Sequence, residues 1–69
     1  MNLQQLRYVR ETVRRKLNLT DAARALHTSQ SGVSRQISLL EEELGLDIFV
    51  RHGKRLVAIT RPGEEVLAI

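Results

Sequence analysis

Ser29, Gln30, Ser31, Ser34, Arg35 and Ser38 place hydroxyls, an amide and a guanidinium within one short segment. At helical spacing these groups suit the edges of bases in a DNA groove, being short enough to enter it and able to donate or accept hydrogen bonds. Arg35 fits a bidentate contact to guanine, worth about 1–3 kcal/mol of discrimination, with a phosphate as its plainer alternative. Gln30 can read adenine in the same way. Ser31 and Ser34 bond equally well to a base or a phosphate. A solvated helix start with a hydroxyl cap is the bland explanation. It does not reach Ser34 and Ser38, which lie past any cap, where helix propensity gives no reason for them. Arg51, Lys54 and Arg55 around Gly53 form a second group, a basic tip that could lie on a phosphate backbone or enter a narrow minor groove. Its plain alternative is a surface turn kept soluble by charge.

Positioning the first group requires a helix, and the spacing predicts one. Thr28 or Ser29 can cap it, Val33, Ile37, Leu40 and Leu44 fall on one side at about 100° per residue, and Gly45 stops it. Ser31, Ser34, Arg35, Ser38 and Glu42 fall on the other side. Before it, Thr20 is expected to cap a short helix from Asp21 to about His27, whose Ala22, Ala23 and Ala25 allow close helix crossing. An N-terminal helix carries Leu3, Leu6, Val9, Val13 and Leu17 as one buried stripe, flanked by Arg7, Arg10, Arg14, Arg15 and Lys16.

The basic tip belongs to a hairpin. Ile48-Phe49-Val50-Arg51 and Arg55 to Ile59 are rich in branched and apolar residues on either side of a glycine-bearing turn. Thr60 then caps a last helix with Pro62 in its first turn and Glu64 and Glu65 near its positive end. Val66, Leu67 and Ile69 make that helix apolar, and its pattern stops without a C-cap, as expected of a truncated chain or a helix awaiting a partner.

Glu41, Glu42 and Glu43 sit at the far end of the third helix, where the helix dipole disfavours anions by a few tenths to about 1 kcal/mol. Two readings are open: they pair with Arg10 or Arg14 of the first helix, or they form a solvated acidic end.

Other chemistries find little support. His27 and His52 have no cysteine and no clustered carboxylates to complete a metal site, so none is assigned. Ser, His and Asp all occur, but no G-x-S-x-G elbow frames a serine, and no catalytic residue is assigned. Tyr8 and Phe49, the only aromatics, read as core, which leaves no stacking platform for single strands.

Composition sets the outer limits. A chain of 69 residues builds one domain with a thin core and no roomy cleft. Eleven Lys and Arg against eight Asp and Glu give +3, a modest excess whose placement matters more than its size. Without cysteine the fold stands on packing alone. No apolar run reaches the roughly 18 residues of a membrane span and no signal-peptide core begins the chain, so a cytoplasmic protein is expected.

Helix, tight turn, helix and basic hairpin together form the layout of a winged helix-turn-helix, a mainly α fold. The sequence also resembles the N-terminal domain of LysR-type transcriptional regulators over essentially its whole length. The resemblance rests on LQQLRYV, the Ala22-Ala23 pair with Leu26, TSQSGVSRQISLLEEELG, LDIFVR, and the T-x-P-G turn from Thr60 to Gly63. LQQLRYVRE, TSQSGVSRQI and FVRHGKRL are most similar to the CysB and Cbl branch, activators of sulfur-assimilation and cysteine-biosynthesis genes.

The resemblance implies a DNA-binding domain over residues 1–59 and the start of a linker or dimerisation helix over 60–69. It implies a homodimer through Val66, Leu67 and Ile69, with higher oligomers in the longer protein. It also implies a separate effector domain, absent here, that takes an acetylserine or sulfur anion. Base reading carries over to Gln30, Ser31, Ser34 and Arg35, and wing contact to Arg51, Lys54 and Arg55. Many members have proline where this chain has Ser31, which implies a less rigid start to the recognition helix.

The expectation is a dimer that reads an interrupted palindrome in double-stranded DNA, needs no cofactor in this chain, does not touch membranes and catalyses nothing. The rivals are a winged-helix module that contacts an acidic protein through the same face, and a small standalone enzyme.

Overall fold

The computed structural model describes all 69 residues. It contains α1 (Leu3–Arg14), α2 (Leu19–Ala25), α3 (Gln30–Leu44), β1 (Phe49–His52), β2 (Arg55–Ile59) and α4 (Arg61–Leu67). The two strands pair antiparallel as a hairpin, and this order is that of a winged helix-turn-helix.

Each helix start is held by a side-chain cap. Asn2 and Gln5 form a reciprocal capping box on α1, with the Gln5 N–H donating to Asn2 Oδ1 at 2.7 Å and the Asn2 N–H to Gln5 Oε1 at 3.2 Å. Ser29 caps α3 through Gly32, and Thr60 caps α4 through Gly63, as their types predict. The α2 cap corrects the sequence reading. It is Asn18, accepting from the Asp21 N–H at 3.0 Å, so the helix begins at Leu19 and includes Thr20. That start allows Leu19 to be buried.

The first three helices end alike. At the end of α1 the Lys16 N–H donates to the Val13 carbonyl (3.0 Å) and the Leu17 N–H reaches back to Thr12 (2.8 Å). The His27 and Thr28 N–H groups do the same to Arg24 (3.3 Å) and Ala23 (3.0 Å), and those of Gly45 and Leu46 to Glu42 (3.3 Å) and Glu41 (3.2 Å). This two-bond closure needs a left-handed residue, and φ is 56° at Lys16, 57° at His27 and 68° at Gly45. Only the third site has glycine. Left-handed geometry costs a residue with a Cβ roughly 1–2 kcal/mol, so Lys16 and His27 are held there by their surroundings. It also stops α2 at Ala25, short of His27.

Leu6, Val9, Val33, Ile37, Leu40, Ile48 and Phe49 form the centre of the core, joined by Tyr8, Leu19 and Ala23. Both aromatics are internal, as expected. Val13, Leu17 and Leu44 pack partly buried at the margin, whereas Leu3 is 85% exposed. Periodicity fixes the direction in which Leu3 points. It does not ensure that another element extends far enough along the axis to cover it.

The wing contains a bulge that simple alternation does not foresee. Val50 pairs with Ala58 and Arg51 with Leu56, leaving Val57 as the extra residue. Strict alternation would put Leu56 and Ala58 on one face. The insertion instead turns Leu56 and Ile59 toward the core and leaves Val57 and Ala58 exposed.

Candidate nucleic-acid interface

The start of α3 is outward-facing and locally organised. Ser29, Gln30, Ser31, Arg35 and Ser38 are exposed, and Ser34 is half-buried. The Ser29 hydroxyl accepts from the Gly32 N–H at 3.0 Å and lies 3.2 Å from the Ser31 hydroxyl. The Gln30 amide oxygen accepts from the Thr20 hydroxyl at 3.2 Å. Thr20, read from sequence as a cap, instead orients Gln30 from the preceding helix.

Two adjoining clefts flank this end of α3, and Leu19, Gln30, Lys54 and Leu56 line both. One continues along Ser29, Ser31, Ser34, Arg51 and Gly53. The other runs toward Lys16, Asn18, Thr20 and Arg55. Neither is lined by a carboxylate. Folding thus brings Ser29, Gln30, Ser31, Ser34 and the wing cations to one concave surface, while Arg35 and Ser38, also expected in the site, lie outside the cleft walls. Lys16, Asn18 and Thr20 line this surface, although the sequence reading placed none of them there. In the sequence Lys16 stood out only as one of five cations in and just after α1, a signal too general to place it.

The other end of α3 has the opposite character, with a shallow depression lined by Ser38, Glu41, Glu42 and Asp47. The acidic run does not pair with Arg10 or Arg14. Arg10 donates to the Ile69 backbone oxygen at 2.6 Å, and Arg14 lies 3.5 Å from Glu11. Glu43 meets the Met1 amino group. Glu41 is buried, not solvated: its carboxylate accepts from the Ile48 N–H (2.7 Å), the Phe49 N–H (3.2 Å) and Arg51 Nη2 (2.8 Å). Three donors offset the dipole penalty that the sequence alone left unexplained.

Arg51 therefore lines the cleft while tied to Glu41, with its side chain 32% exposed. Other cations are also engaged. Arg15 bonds Glu11 at 2.8 Å, and Arg24 lies 3.6 Å from Asp21. The Arg15 hydrogen bond, aided by the fields of Arg14, Arg15 and Arg7 and opposed by partial burial, holds the Glu11 carboxyl below its ordinary range.

In α4, Val66 is buried in the core and Leu67, the last helical residue, is partly buried against it, whereas Ile69 lies past the end of the helix and is 66% exposed. Of the three residues assigned to a dimer seam, Val66 is therefore occupied within the monomer and only Ile69 is largely free. No helix is long and apolar enough to cross a membrane.

This geometry has close counterparts. Over 66 residues the chain is 64% identical to the HTH-type transcriptional regulator SsuR of Burkholderia cenocepacia, covering 96% of this chain and 21% of that protein. It is 60% identical to CysB of the same species, over 99% of this chain and 22% of CysB. Its identity to cbl of Escherichia coli K12 is 58%, over 100% of this chain and 22% of that protein. The chain thus spans about a fifth of the length of the curated relatives it matches. The structure superposes on the BenM DBD in its catB site 1 DNA complex with a TM-score of 0.85 at 35% identity, covering 99% of this chain and 74% of that one. For the CbnR DBD–DNA complex the TM-score is 0.83 at 32% identity, with 99% and 76% covered. The family model described as bacterial regulatory helix-turn-helix protein, lysR family, matches residues 3–64, and the chain belongs to that family.

Proposed function

We propose that this chain is the sequence-specific, double-stranded-DNA-binding domain of a bacterial transcription regulator. The observation that carries the reading is the carboxylate-free concave surface between the start of α3 and the wing, set against the acidic opposite end of α3. Backbone N–H groups and the positive dipole at the start of α3 favour phosphate, and the adjacent short polar side chains suit a major groove. Solved complexes of the similar BenM and CbnR domains with DNA support DNA as the partner.

Within this reading Gln30, Ser31, Ser34 and Arg35 meet base edges, Ser29 and Ser38 border them, and Lys54 and Arg55 meet the backbone. Arg51 is held by Glu41 at the margin of the contact. Residues 1–59 form the reading unit and residues 60–69 begin a linker helix whose exposed side, including Ile69, joins a second copy. The role is non-catalytic, cytoplasmic and without a cofactor in this chain. Similarity to SsuR, CysB and cbl supports control of sulfur-assimilation genes by the longer protein, with a small effector bound outside this chain.

Selection of binding sites from random duplex DNA tests the proposal. An enriched interrupted palindrome is expected, one half-site for each α3. Recovery of no common sequence would favour the protein-interaction reading of the same face.

A further inference from the structure

Lys16 occupies a position that helix geometry alone would give to glycine. Its φ of 56° closes α1 through the same two backbone bonds that Gly45 closes for α3, and Leu17 follows at 65°. His27 has the same left-handed geometry away from the cleft, so what distinguishes Lys16 is where its side chain lies. The ammonium has no carboxylate partner, unlike Arg14, Arg15, Arg24 and Arg51. It lines the same cleft as Thr20, Gln30, Lys54 and Arg55. The turn after α1 thus adds a cation to the side of the α3 start that faces the wing tip.

We infer that this turn is a further DNA-contacting element, in which the Lys16 ammonium meets a backbone phosphate beside those contacted by Lys54 and Arg55. The inference rests on the DNA-binding reading of the cleft and extends it to a third segment of chain. A compact, hydrated ammonium carries no base preference, so Lys16 contributes affinity and register but no sequence discrimination.

Lys16→Gly is the informative variant, because glycine accepts the left-handed turn and removes only the side chain. Binding to a labelled mixed-sequence duplex is measured across a series of salt concentrations for the whole 69-residue chain. The expected result is a slope of log K against log salt shallower by roughly 0.9, the value of one lost phosphate contact on B-DNA. Lys16→Arg should keep the wild-type slope, and so should Arg15→Ala, whose cation is already paired with Glu11. The Lys16→Gly thermal midpoint should stay at or above that of wild type, which separates loss of contact from loss of fold. Salt-dependent wild-type binding with an unchanged Lys16→Gly slope would overturn the inference and leave the DNA reading intact. Absence of salt-dependent wild-type binding would overturn both.

Discussion

The carboxylate of Glu41 and the guanidinium of Arg51 lie 2.8 Å apart across the junction between α3 and β1, with Glu41 only 8% exposed. The other carboxylate oxygen accepts the N–H groups of Ile48 and Phe49, which begin the wing. One side chain therefore fixes the wing to the C-terminal half of α3, the helix whose opposite end is the proposed reading surface.

Glu41→Ala is expected to cost about 3 kcal/mol in urea denaturation. That is the low end for breaking a buried pair, because Arg51 retains partial contact with water. Arg51→Met should cost less, since the two backbone N–H groups keep their acceptor. Equal losses from the two variants would show that the ion pair, not the backbone contacts, holds the junction.

Two glycines should fail for different reasons. A Cβ on Gly63 would lie 2.3 Å from the Ile48 carbonyl oxygen, where α4 crosses the start of the wing, whereas one on Gly45 meets nothing within 4 Å. Gly63→Ala should cost about 1–3 kcal/mol or more through overlap, and Gly45→Ala roughly 1–2 kcal/mol through its φ of 68°. Asparagine, which tolerates left-handed geometry, should recover part of the loss at position 45 and none at 63, as read from thermal midpoints.

Arg35 is exposed and makes no ion pair with a carboxylate. Arg35→Ala should weaken binding to the selected site by about 1–3 kcal/mol and relax preference at a single base pair, with a smaller effect on mixed-sequence DNA. Equal losses on both duplexes, measured by anisotropy titration, would reassign Arg35 to phosphate.

Self-association should separate Ile69 from Val66. Ile69→Asp is expected to shift sedimentation toward monomer with an unchanged unfolding midpoint, since Ile69 is largely exposed. Val66→Ala should lower the midpoint, because its side chain fills the monomer core. An unchanged monomer–dimer balance in Ile69→Asp would remove that residue from the seam.

Much of the fold and part of the candidate site were legible in the sequence because they depend on near neighbours. The span of α3 followed from the Ser29 cap, the Val33-Ile37-Leu40 stripe and Gly45. The hairpin and the Thr60-Pro62 helix start were equally local, since caps, turns and hydrophobic periods are set within a few residues. Tertiary structure decided which groups meet across elements. It buried Glu41 against Arg51 instead of leaving the acidic run near Arg10 and Arg14, and it moved the α2 cap from Thr20 to Asn18. It left Leu3 uncovered, enclosed Val66 in the core and bulged the wing at Val57. It also brought Lys16 to the cleft of Gln30 and Lys54. Residue order specifies types and directions along an element, but distances between elements arise only when their faces pack, and charge pairing and cleft composition depend on those distances.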